Sequence, residues 1–112
     1  MPEFMLLFRG GEADQKSPAE MQQLVQNYIA WVRELREQGK FKAGDELQAN
    51  GRIVSATKGK LIDGPFVETK DAVGGYFLID AADYDEAVAI AKSSPNLQHG
   101  GWVEVRQISD YS

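Results

Sequence analysis

The stretch "GYFLID" at residues 75–80 decides how this chain is read. Its large side chains follow one another without polar alternation, the pattern of a strand covered on both faces rather than one lying half in water. "MLLF" at residues 5–8 has the same character. Two such segments predict the two central strands of a single sheet, and the remaining elements arrange themselves around them.

Between these strands, "SPAEMQQLVQNYIAWVRELREQG" predicts a long helix. Ser17 stands at the N-cap, Pro18 at the first helical position and Glu20 three residues after the cap, which together form a capping box. Met21, Leu24, Val25, Tyr28, Trp31, Val32 and Leu35 recur at the three- and four-residue spacing of one helix face, and Gly39 supplies a left-handed stop. "FKAGDEL" and "GRIVSATKGKLI" predict charged edge strands, the second folded into a hairpin at Lys58-Gly59. After "GYFLID", Asp83 caps a second helix with Glu86 at its third position. Tyr84, Ala87, Val88 and Ala91 are its expected buried stripe, and Ser93-Ser94-Pro95 its end. "WVEVRQI" alternates, with Val103 and Val105 on one side and Trp102, Glu104 and Arg106 on the other.

The order is a split βαβ pattern and predicts an α+β, ferredoxin-like fold, an antiparallel sheet with two helices on one face. The 112 residues form one expected domain, 1–112, with no internal repeat beyond the βα symmetry and no linker. Two helices cover one face of such a sheet, yet "MLLF" and "YFLI" place large side chains on both, and Trp102 adds an aromatic to the uncovered side. A contiguous apolar patch of that kind marks an interface, so the expected assembly is a homodimer. In the alternative, the hairpin and the C-terminal residues fold over that face in a monomer.

Composition narrows the function. Hydrophobic residues make up 43% and charged residues 26%, with no stretch of eighteen apolar positions, which predicts a globular chain without a membrane span. The start "MPEFMLLF" lacks the basic lead of a secretory signal, and there is no cysteine, so the expected compartment is the cytoplasm. Twelve basic against seventeen acidic residues give a net charge of −5, unsuited to phosphate backbones, and no nucleic-acid partner is expected. One histidine cannot supply a nitrogen-rich zinc set and no carboxylate cluster has ligand spacing, so neither metal nor cofactor is expected.

Two residues are candidates for proton chemistry. Asp63 in "DGPFVETKD" either accepts backbone N–H groups of the turn that follows or carries a functional carboxylate. His99, the one histidine, lies beside two glycines that let backbone or ligand approach closely, and is either a turn or interface residue or a general acid/base oriented by Asp63. Glu68, Lys70 and Arg106 are candidate ligand-binding residues, Arg106 for an anionic group.

"DGPFVETKDAVGGYFLIDAADYDEAVAIAKSSPNLQHGGWVEVR" closely resembles the DGPF-containing branch of the YCII-related protein family, and "MLLF", the Ser-Pro-x-Glu helix start and "AGDELQ" extend the likeness over the chain. The resemblance implies a ferredoxin-like domain that assembles as a dimeric α/β barrel with a site in the cleft between the sheets. It also implies a His/Asp active site on a small organic molecule. The histidine of the wider family belongs near the first strand, where Phe8-Arg9 stands here, which leaves His99 for proton transfer. The alternative is a ligand-binding or interaction module without turnover, linked to transcription regulation.

Overall fold

A computed structural model describes residues 1–10, 17–48, 51–55, 60–64 and 72–111. In chain order these form β1 (Glu3–Gly10), α1 (Pro18–Glu37), β2 (Phe41–Glu46), β3 (Gly51–Ser55), β4 (Lys60–Gly64), β5 (Val73–Asp80), α2 (Tyr84–Lys92), a 3-10 helix (Pro95–His99) and β6 (Gly101–Gln107). The main sheet is antiparallel with order β2-β5-β1-β6, so the two uninterrupted apolar segments are its two inner strands. β3 and β4 pair with each other in a separate two-stranded sheet, the expected hairpin, whose turn at Lys58-Gly59 lies outside the described residues. This is a small α+β fold with the split βαβ order that the sequence predicts.

Local chemistry sets the helix ends. Ser17 and Glu20 exchange reciprocal hydrogen bonds at 3.2 Å, completing the capping box, and Gly39 takes the left-handed backbone (φ 72°) that turns the chain out of α1. Asp83 caps α2 by accepting the Glu86 N–H at 2.9 Å.

Every second residue of the inner strands points into one core. Phe4, Leu6 and Phe8 of β1 and Phe77 and Ile79 of β5 meet Trp31 and Leu35 of α1 and Ala87, Ile90 and Ala91 of α2. Val103 and Val105 of β6 pack against this cluster, as the alternation of "WVEVRQI" predicts. Trp31 lies at the centre. Its ring stacks on Phe77 with centroids 5.1 Å apart, meets Phe8 edge-on at 6.0 Å, and its indole N–H donates to Ser93 Oγ at 2.8 Å.

The predicted stripe of α2 needs correction. Ile90 is buried with Ala87 and Ala91, whereas Tyr84 and Val88 are 47% and 37% exposed. Tyr84 sits in the first turn, where its ring meets Phe4 edge-on at 4.8 Å while its hydroxyl accepts the Gln107 N–H at 2.8 Å, which leaves the other side of the ring in water. The expected face of α1 is likewise buried only in its C-terminal half. Trp31 and Leu35 are enclosed, whereas Val25 is 47% exposed.

Gly44 of β2 faces the ring of Phe77, and a Cβ there would lie 2.9 Å from Phe77 Cε1 and 2.7 Å from the Tyr76 carbonyl oxygen. Gly44→Ala is expected to destabilise the fold by about 1–3 kcal/mol, the usual cost of overpacking, read as a lowered urea midpoint at unchanged slope.

Candidate functional site

The 3-10 helix, which the sequence reading did not anticipate, fixes where His99 stands. Asn96, its second residue, sends its side-chain amide across to the end of the β1–β6 ladder. Nδ2 donates to the carbonyl oxygens of Arg9 at 3.3 Å and Trp102 at 3.1 Å, two residues that face each other in the register. The glycines after His99 then have separate reasons. Gly100 adopts φ 80°, which closes the 3-10 helix. Gly101 leaves room for the Asn96 side chain, since a Cβ would lie 2.5 Å from Asn96 Oδ1 and 2.6 Å from its Cγ. The close approach foreseen at this glycine pair is thus made by the chain's own asparagine.

His99 ends the 3-10 helix and is partly buried. Its Nε2 is shielded from solvent and has no hydrogen-bond partner among the described residues. The phenol of Tyr28 helps anchor the same segment, since its oxygen accepts a hydrogen bond from the Asn96 backbone. Burial pushes this phenol from 10.0 up to about 12, with the charge of Glu46 adding to the rise and the Asn96 bond opposing it.

The second feature is the sheet face away from the helices. Met5 and Leu7 of β1 and Tyr76 and Leu78 of β5 lie on it half-buried, beside Trp102, which is 43% exposed. Charged groups border this apolar area. At one end the Arg9 guanidinium sits over the Trp102 ring, 5.4 Å from its centroid, and pairs with Glu104 at 3.1 Å. Arg106 follows on β6, 71% exposed and 3.9 Å from Glu104. At the other end the strand pairing of β2 shifts between Phe41 and Ala43, and Lys42 reaches Glu3 at 2.5 Å and Asp80 at 4.0 Å. The hydrogen bond to Glu3 and the charge of Asp80 hold the Lys42 ammonium above its ordinary pKa.

The predicted site residues divide accordingly. Arg106 lies on the open face, opposite Met5. Asp63 belongs to β4, paired with Arg52, and the turn expected after it falls at residues outside those described. The Asp63 side chain lies outside the described residues, and so do Glu68 and Lys70. Sequence reading missed Asn96 and the Arg9–Trp102–Glu104 group. The alternation of "WVEVR" had put Trp102 and Glu104 on one face, whereas Arg9 needed the register of β1 against β6 to be added to them. Neither His99 nor Arg106 lines the shallow groove between α1 and α2, which Lys40 and Glu86 bridge at 2.6 Å.

Residues 3–112 match the model of the YCII-related domain, and the chain belongs to that family. It is 41% identical over 58 residues to an uncharacterised protein of Rhizobium meliloti, a match that covers 51% of this chain and 47% of that one. The chain thus aligns with about half the length of the curated relative it matches. Among solved structures it is similar to 5-chloro-2-hydroxyhydroquinone dehydrochlorinase from Burkholderia phenoliruptrix in complex with 2,5-dihydroxybenzoquinone, at 20% identity and a TM-score of 0.48, over 95% of this chain and 93% of that one. No helix among the described residues is long and apolar enough to cross a membrane.

The Tyr28 phenol sets a pH dependence. Between pH 10.0 and about 12 the folded chain keeps a proton that the unfolded chain has lost, so stability falls as pH rises through that window. A phenolate absorbance titration is expected to show one late-ionising tyrosine, and Tyr28→Phe to remove both that step and the alkaline loss of stability.

Proposed function

We propose that this protein, a member of the DGPF branch of its family, is a homodimer whose sheets pack through their open faces into an α/β barrel, and that it binds a small organic molecule between them. The observation that carries this reading is the half-buried apolar area of Met5, Leu7, Tyr76, Leu78 and Trp102 on the uncovered side of the sheet. Burying a fully exposed apolar side chain is worth roughly 1.5–3 kcal/mol, of which each of these half-buried residues still has a part to gain, and neither helix reaches that side. A second copy brings an equal area to match it. In this reading the dimer works in the cytoplasm, the reducing compartment that a cysteine-free chain suits.

In this reading the chemistry belongs to His99, Asp63 and Arg106, of which Arg106 lies on the open face. His99 transfers a proton as general acid/base in an elimination or hydrolysis, and Asp63 orients it. What supports His99 is a solvent-shielded Nε2 that has spare hydrogen-bonding capacity among the described residues, on a segment pinned by Asn96. Arg106 holds an anionic group of the ligand, with Glu68 and Lys70 as further contacts. The competing reading is a binding or interaction module without turnover, linked to transcription regulation.

Sedimentation at micromolar concentration is expected to give a particle of twice the chain mass, and a stable monomer overturns the barrel. A thermal-shift screen of small organic acids and phenols then supplies ligands for turnover assays. His99→Ala is expected to keep the dimer and the ligand-induced shift while losing about a hundredfold or more in turnover. Full turnover in that variant removes His99 from the chemistry, and binding without turnover in the wild type selects the module.

A further inference from the structure

Asn96 uses its polar groups in three directions. Its backbone N–H donates to the Tyr28 phenol oxygen of α1, its carbonyl oxygen accepts the Gly100 N–H, and its side-chain Nδ2 donates to the carbonyl oxygens of Arg9 and Trp102 at the end of the β1–β6 ladder. The bond from Gly100 closes a turn over residues 97–99, so His99 stands inside a loop that Asn96 shuts. One residue thus joins a helix, two strands and the turn that carries the histidine.

The geometry of the turn decides which way its side chains face. In a 3-10 helix, side chains three residues apart eclipse one another, and burial keeps that period: Asn96 and His99 are partly buried, whereas Leu97 and Gln98 between them are exposed. His99 therefore shares the inward side with the Asn96 amide, where its Nε2 is shielded from solvent and unpartnered among the described residues. Gly101 makes room for that same amide. It lies in a strand and outside the left-handed region, so a side chain is refused there by space alone, through Asn96 Oδ1 and Cγ at 2.5 and 2.6 Å from a Cβ.

We infer that Asn96 is the positioning residue for His99, holding the turn so that the imidazole keeps one place with its Nε2 shielded, and that Gly101 is the space that admits it. This rests on the proton-transfer reading of His99 proposed above and deepens it, because it names what orders that group. The role is distinct from that of Asp63 in the same reading. Asn96 acts on the backbone of the turn, whereas Asp63 acts on the ring. A proton is transferred only across hydrogen-bond reach, and a displacement of about 1 Å costs on the order of a hundredfold in rate.

The single histidine makes the test direct, because the N-carbethoxyimidazole that diethyl pyrocarbonate forms on the full chain comes from His99 alone. In variants shown by circular dichroism to be folded, Asn96→Ala is expected to react about tenfold faster than wild type, as the turn opens locally. On the phenol or organic acid found by the thermal-shift screen, it is expected to lose roughly ten- to a hundredfold in kcat with KM within about twofold. Gly101→Ala is expected to reproduce both effects by displacing the amide. The double variant is expected to be no worse than Asn96→Ala, since the space for the Cβ is then empty. Wild-type protection of His99 in Asn96→Ala, or losses that add in the double variant, overturns the inference and leaves His99 as the proton-transfer group. Full turnover in His99→Ala, or none in the wild type, overturns the proton-transfer reading and the inference with it. Where Asn96→Ala fails to fold, Gly101→Ala carries the test, and an unchanged rate of carbethoxylation there overturns the inference.

Discussion

The stacking of Trp31 on Phe77 holds the structure together, because that single contact joins the long helix to an inner strand while the indole N–H reaches α2 through Ser93. Ser93 passes the bond on to the Ile90 carbonyl at 2.7 Å, so the polar edge of a buried aromatic is satisfied by the turn that ends the second helix. Phe8 and Phe41 close on Phe77 from either side with centroids at 5.1 and 5.0 Å. Large rings packed edge to face leave little room for adjustment, and Gly44 is the residue that gives way. The consequence is one-sided. Helices of 20 and 9 residues are spent on one face of four strands, and the other face is left to its own side chains.

That imbalance separates two kinds of polar interaction. On the helix side, ion pairs tie elements together: Lys40 at the start of β2 meets Glu86 in the first turn of α2, and the hydrogen bond from Lys40, with one from the Ala82 N–H, holds the Glu86 carboxyl below its usual range. On the open side, charges stand in a border around apolar residues. Arg9 lies on Trp102 and pairs with Glu104, and Lys42 spans Glu3 and Asp80, so each group sets opposite charges together within the chain. A charged border around an apolar centre is the composition of an interface with a dry middle and a polar rim. The same border blunts the two edge strands against indiscriminate strand pairing.

Much of the fold was legible because its signals are local. The capping box of α1, the glycine after it, the Asp83 cap and the alternation of "WVEVRQI" each depend on residues within a few positions of one another, and each reappears in the structure. The central place of β1 and β5 was legible too, since strands without polar alternation have no face to offer water. The α2 stripe was misjudged because periodicity alone does not say which of two overlapping arcs meets the sheet, and Ile90 won over Val88 through packing that the sequence does not display. The site was less legible. Asn96 sits in a 3-10 helix whose sequence reads as the end of α2, and its partners Arg9 and Trp102 are supplied by a pairing between strands at opposite ends of the chain. The reason for Gly101 was equally hidden, since a glycine that accommodates a neighbouring side chain looks, in sequence, like one that accommodates a ligand.

These two gaps share a physical cause that bears on function. The Asn96 amide ends the β1–β6 ladder by taking up the carbonyls of Arg9 and Trp102, the same residues whose side chains stand at one end of the open face. The backbone that carries the cation–π pair is therefore fixed by the segment that carries His99, two residues before the ladder begins. One side chain, seated where Gly101 has no Cβ, thus ties the segment that carries His99 to the strand end that carries Trp102.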